Sequence, residues 1–425
     1  LNSDAPGPEQ LAESGAKRFE DLGCINCHHF NTDISQADEY QRHSLALIKR
    51  KFSHSQLARF LELPHLHHPW SRMPDFRLTP IESAELAAFL IERSEGKIPS
   101  AMIPPAGSAQ RGQKLYYETL GCARCHGSLQ GDDQPLTLKR SVLTSQPTVN
   151  GCLSKENEIA RGIPKFSLTT VEKESIQAFL QFGTESLQQR NFPEISDRWM
   201  KQLNCVACHH RDTIQSPRAM IVVDEGESGL PPEPLPSLTW AGEKLKSGWL
   251  ESFLAGEIKW RPRPWLKSRM PQFPAHAHLL AVGLREEHGI PSKTNSHLAS
   301  SLQAKHETLI DKGKQLTTRQ ALDCRQCHGI GNLQPSGDEK TRIALGINFV
   351  HIRERLTPEY YQRFVLDPPR FDISTKMPKL SADGETTKIS TILNGDARRQ
   401  FEAIWHYIHS LEEPSRSYSV IPRPD

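Results

Sequence analysis

Four five-residue stretches decide how this chain is read: "CINCH" (24–28), "CARCH" (122–126), "CVACH" (205–209) and "CRQCH" (324–328). They hold eight of the nine cysteines; the ninth is Cys152. Two thiols three positions apart at a helical turn share one face, and the next residue sets an imidazole beside them. A zinc ribbon needs two such knuckles about 15–20 residues apart, and these are separated by roughly a hundred. A dithiol redox pair gives no reason for a histidine beside it in all four cases. Each motif therefore marks one repeat, over 1–104, 105–192, 193–302 and 303–425.

The pattern is that of c-type haem attachment. Cys24 and Cys27, Cys122 and Cys125, Cys205 and Cys208, and Cys324 and Cys327 are the expected thioether donors. His28, His126, His209 and His328 are the expected proximal iron ligands. Four covalently bound haem c groups would also help explain a lean composition: 36% hydrophobic residues and a mean hydropathy of −0.55 over 425 residues. The formal charge of +2 argues against nucleic-acid binding, which needs a concentrated basic face. No apolar run reaches the 18 residues of a transmembrane segment. The start at Leu1, without a basic-then-apolar leader, reads as a mature or trimmed product.

Amphipathic helices are expected before each motif, as in "EQLAESGAKRFEDLGC" and "HETLIDKGKQLTTRQALDC". A closing helix ends each repeat. In "TPIESAELAAFLIERSEG", Thr79 is the expected N-cap, Pro80 the first turn and Gly96 the residue beyond the end. "TTVEKESIQAFLQFG" and "DARRQFEAIWHYIHSLEEP" repeat that design. Linkers are expected at 96–108, 189–197 and 291–302, and "DEGESGLPPEPLPS" as an excursion within repeat three.

Between motif and closing helix, three repeats carry a methionine before proline: "SRMPDF", "SRMPQF" and "TKMPKL". Met73, Met270 and Met377 are the expected sixth iron ligands, which raise the reduction potential. Methionine also fills core gaps, but three of only six occupy this matching position. Trp70, Arg72, Trp265 and Arg269 stand beside them as candidate propionate contacts, against ordinary packing or solvated charge. His29 and His210 are read as hydrogen-bonding residues, and the "HLHH" group (65–68) as a solvated loop. Repeats one and three share "CHH" and a tryptophan before the methionine, whereas two and four read "CHG", so a duplicated two-haem unit is the simplest origin.

Helix, attachment motif, Met-Pro and closing helix together resemble class I cytochrome c across nearly the whole chain. "SLTWAGEKLKSGWLESFLAG" with "RPWLKSRMPQF" is similar to the cytochrome c modules of large bacterial secreted or membrane-bound dehydrogenases. The resemblance implies a mainly α fold of four tandem class I cytochrome c-like domains, the second degenerate. It also implies export to the bacterial periplasm or beyond, and redox partner proteins with a dehydrogenase among the candidates.

Repeat two departs from the pattern. "GIPKF" puts Ile163 at the methionine position, and no histidine occurs from 127 to 208. Cys152 is the favoured sixth ligand, because a thiolate binds iron strongly and nearby ferric iron lowers its pKa. Lys165, a ligand from another repeat, an open iron, a buried inert thiol and an intermolecular disulfide are the other readings. The expected function is electron transfer. The alternative is a haem enzyme, oxidising sulfur compounds or peroxidase-like, with catalysis at repeat two.

Overall fold

The computed structural model describes residues 7–33, 37–66, 71–96, 109–119, 166–182, 190–226, 229–258, 260–291, 307–337 and 345–412. Fifteen α-helices stand among these residues, and strand is limited to one parallel pairing of His28–His29 with His43–Ser44. Repeat one holds α1 (Pro8–Asp21), α2 (His54–Glu62) and α3 (Pro80–Arg93). Repeat two holds α4 (Ala109–Lys114) and α5 (Thr170–Phe182). In repeat three lie α6 (Phe192–Gln202), α7 (Arg218–Glu225), α8 (Ala241–Lys244), α9 (Ser247–Leu254) and α10 (Ala277–Glu287). Repeat four adds α11 (Glu307–Leu316), α12 (Ile352–Arg355), α13 (Pro358–Leu366), α14 (Pro368–Phe371) and α15 (Ala397–Ser410).

Local chemistry sets the helix starts. Thr79 caps α3, accepting from the Glu82 amide at 3.3 Å while the Glu82 carboxylate accepts from the Thr79 amide at 2.9 Å. This reciprocal pair satisfies two N–H groups that the helix cannot satisfy itself. Thr169 and Glu172 repeat it ahead of α5, and Asp396 caps α15. The expected linker at 189–197 is instead the start of α6. Asn191 caps that helix and Pro193 lies in its first turn, where proline costs nothing because the missing N–H would be unpaired anyway.

The chain divides into two units, Leu1–Pro99 with Asn191–Asp425, and Ser100–Arg190. In the larger unit the leading helix of each repeat packs on its closing helix: α1 on α3, α6 on α10, α11 on α15. Small residues permit the close approach. A Cβ added at Gly15 would lie 2.0 Å from the Glu85 carbonyl oxygen, and one at Gly313 would lie 2.1 Å from that of Ala403. In repeat three the small residue sits on the closing helix, where Gly283 faces Ser196 and the Phe192 carbonyl.

Three apolar clusters result. One joins Phe19, Leu57, Leu61, Leu86 and Leu90; a second joins Met200, Leu250, Leu254 and Leu280; the third joins Leu316, Tyr361, Phe401 and Trp405. The first is not made by repeat one alone, since Ile221 and Val222 of α7 are buried in it. In the smaller unit, Leu115, Phe166, Val171, Ile176 and Phe179 are exposed. Among the described residues no helix is long and apolar enough to cross a membrane.

Candidate cofactor sites

In repeats one, three and four a left-handed residue, Gly23, Asn204 or Asp323, with φ of 81°, 53° and 53°, stands directly before the first motif cysteine. It lies two residues past the leading helix in repeats one and three and seven past it in repeat four. Each reversal opens a single 3-10 turn, Cys24–Asn26, Cys205–Ala207 or Cys324–Gln326. The turn closes between the two cysteines, as the Cys27 amide donates to the Cys24 carbonyl at 3.1 Å and Cys208 to Cys205 at 3.2 Å. Asparagine and aspartate tolerate this backbone region better than other residues with a Cβ.

All six described motif cysteines are free thiols. Burial pushes Cys24, Cys205 and Cys324 up to about 12, and Cys27 up to about 11. Such thiols are poor thiolates, unlike the low-pKa groups of redox and metal sites. A neutral thioether would suit the same places, because it leaves no charge to bury. Among the described residues, no group of three or more His, Cys, Asp or Glu side chains could hold a bare metal ion.

The motif histidines are oriented alike. Nδ1 of His28 lies 3.2 Å from the His43 carbonyl oxygen, that of His209 2.8 Å from Pro236, and that of His328 2.7 Å from Ile347. A carbonyl only accepts, so Nδ1 carries the proton and Nε2 keeps its lone pair, as a metal-ligating imidazole requires. Burial pulls His28 down to about 4 and lowers His209 and His328 as well, which keeps the rings neutral.

Each methionine meets its own attachment turn across one core. Cys24 and Met73 pack on the first cluster, Cys205 and Met270 on the second, Cys324 and Met377 on the third. In repeat four, Cys324, Cys327, His328 and Met377 line one cavity of about 320 Å³, within the range of ordinary ligand pockets. Ile347, Phe349, Leu356, Phe401 and Ile404 supply apolar wall. Cysteine pair, oriented imidazole, thioether and apolar wall fit a haem.

The candidate propionate contacts separate. Trp265 lines the repeat-four cavity, although it belongs to repeat three. Arg269 donates to Glu82 Oε1 at 2.7 Å and to the Phe76 and Arg77 carbonyls at 3.0 and 3.2 Å. Arg72 is exposed, and Trp70 lies outside the described residues. Cations that the sequence reading did not single out are better placed: Lys244, Arg263 and Arg355 line the same cavity. They were missed because only the fold sets them beside a motif that is distant in the sequence. Cys122, Cys125, His126, Cys152, Ile163 and Lys165 lie outside the described residues, as do His67 and His68; His65 is half-buried.

Repeat three touches both one and four through matched positions. Asp75 and Gln272, each two residues beyond its methionine, form an antiparallel bridge, and the Gln272 amide donates to the Asp75 carbonyl at 2.9 Å. The attachment turns of repeats one and three also meet, through unlike positions: Asn26 Nδ2 donates to Cys208 Sγ at 3.2 Å, and Asn204 hydrogen-bonds Cys27. Toward repeat four, Leu245 pairs with Leu356, each directly before an N-cap. The exchange is reciprocal, from the Lys246 amide to the Arg355 carbonyl at 2.8 Å and from Thr357 to Lys244 at 3.0 Å. Contacts that pair like positions in this way are isologous. In comparisons with known proteins, no protein-family profile, curated protein or solved structure matches the chain.

Proposed function

We propose that the chain is a four-haem c-type cytochrome that carries electrons between redox partner proteins, exported to the bacterial periplasm or beyond. One observation carries the reading: in three repeats the first motif cysteine and the methionine pack on the same core while the motif imidazole is held neutral through Nδ1, and in repeat four both cysteines, the imidazole and the methionine line one cavity. Under it the four repeats are class I cytochrome c-like domains, the second degenerate, and the features shared by repeats one and three speak for a duplicated two-haem unit. When bound, each haem supplies one-electron chemistry at iron.

The roles of the residues follow. Cys24, Cys27, Cys205, Cys208, Cys324 and Cys327 anchor the macrocycle. His28, His209 and His328 would offer Nε2 to the iron, and Met73, Met270 and Met377 would offer sulfur. An iron held by both an imidazole and a thioether would leave no place for substrate at these three sites, which favours transfer over catalysis. The hydrogen bonds of Asn26 to Cys208 and of Asn204 to Cys27 support it further, because adjacent attachment turns would bring two redox centres close. In repeat two the proposed set is Cys122, Cys125, His126 and Cys152.

The test combines a haem count with paramagnetic resonance and redox titration. Four haems per chain are expected, three with His/Met signatures and one with thiolate character that disappears in Cys152→Ser. Fewer than three His/Met signals would overturn the reading. Rapid carbon monoxide binding at one haem would instead favour the enzyme, with repeat two as its site.

A further inference from the structure

We infer that Lys244, Arg263 and Arg355 form a carboxylate-binding site shared by repeats three and four, filled by the propionates of the haem that repeat four anchors. The inference rests on the proposed function and goes beyond it: the redox centre of repeat four is completed by its neighbour.

The three cations line the cavity that also holds Cys324, Cys327, His328 and Met377. None of them has an ion-pair partner among the described residues. Arg355 is 8% exposed, and its Nε has no hydrogen-bond acceptor. Its guanidinium stacks over the Trp249 ring, 5.0 Å from the centroid, and Lys244 Nζ lies 5.6 Å from that of Tyr360. Aromatic faces thus hold both heads inside without neutralising them. Three carboxylates line the same cavity, Asp323, Asp372 and the exposed Glu233, and none reaches ion-pair distance of the three cations. Burial of like charges pulls Lys244 down to about 7 and Arg355 down to about 9, the signature of cations short of anions.

Buried charges are ordinarily paired, so the site calls for an anion that arrives with the ligand. The rest of the cavity is apolar, which calls for an amphiphile: a broad hydrophobic body with carboxylates at one edge. A haem fixed at Cys324 and Cys327 has that form. Lys244 and Arg355 also occupy equivalent places, each directly before the paired leucines, so the isologous contact itself brings the two cations together.

The experiment is a potentiometric titration of the holoprotein with Lys244→Gln, Arg355→Gln and the half-buried Arg263→Gln, with haem content measured on each sample. A nearby cation disfavours the more positive oxidised state, so its removal should lower the midpoint of one haem and leave the rest in place. Lys244→Arg should keep the wild-type midpoint. Unchanged midpoints in variants that retain all four haems would overturn the proposal. So would a midpoint that follows added inorganic phosphate in the wild type and not in Arg355→Gln, since the site would then serve a free anion. A wild-type chain without haem at repeat four would sink the functional reading itself, and the haem count separates that failure from the others.

Discussion

The two junctions of repeat three use the same symmetry and opposite chemistry. Where it meets repeat one, charges are paired across the boundary. Arg42 holds Glu225 at 2.7 and 2.9 Å, and Arg269 holds Glu82 at 2.7 Å. Where it meets repeat four, Arg363 pairs with Glu243, but Lys244, Arg263 and Arg355 gather around a cavity without ion-pair partners among the described residues. The first junction is fastened mainly by paired charges, and the second leaves three cations facing a cavity. Matched contacts therefore do not imply matched surroundings: one boundary fastens two repeats with paired charges, the other lines a cavity.

The strongest way to break the comparison is to remove the middle. Gly283→Leu would place a Cβ 2.3 Å from the Phe192 carbonyl oxygen, forcing α6 from α10. Overpacking of this kind costs about 3 kcal/mol, so calorimetry should show a lower Tm, with both junctions lost in one transition. Retention of the wild-type Tm would show that the repeats do not depend on this close approach.

Arg42→Ala tests the first junction alone. Its side chain is 4% exposed and bonded to both Asp38 and Glu225. A loss of about 2 kcal/mol is expected, between the ranges for surface and buried pairs. Acid titration adds a sign. Hydrogen bonds from Arg42 hold Asp38 down to about 2, against an ordinary 3.8. That contribution is complete above pH 3.8 and disappears as pH falls through 2, because the unfolded chain takes up the proton first. The variant should lack this acid-sensitive step in a denaturation series.

Arg269→Ala is expected to cost less, about 1 to 2 kcal/mol, since Glu82 keeps Arg18 as a partner. Chemical denaturation in low and high salt should show the difference between variant and wild type narrowing as salt rises. Asn26→Ala should be smallest, below about 1 kcal/mol. It removes a weak bond to sulfur but also a buried Oδ1 that has no partner.

Much of the local pattern was legible in the sequence. Thr79, Pro80 and the apolar spacing of the leading helices announce themselves because caps and periodicity are short-range. Arg72 and Arg269 show the limit. They stand in the same "SRM" triplet, yet one is exposed and the other reaches a carboxylate 187 positions away. Triplet identity cannot encode which neighbour will fold against it. The histidine partners were equally hidden, since His43, Pro236 and Ile347 contribute backbone oxygens that any residue would carry. The helix Arg218–Glu225 went unread because its apolar face is short and belongs to another repeat's core.

That helix has a consequence in time. Ile221 and Val222, fully buried against Phe19 and Leu57, emerge from the ribosome well over a hundred residues after the rest of their cluster. Repeat one can form α1, α2 and α3 early, but its interior stays open on one side until repeat three has been made. Closing so long a loop delays the contact more than it weakens it. A chain cut after residue 99 would therefore carry an intact motif on an unfinished core, and whatever loads the first site meets it in that state.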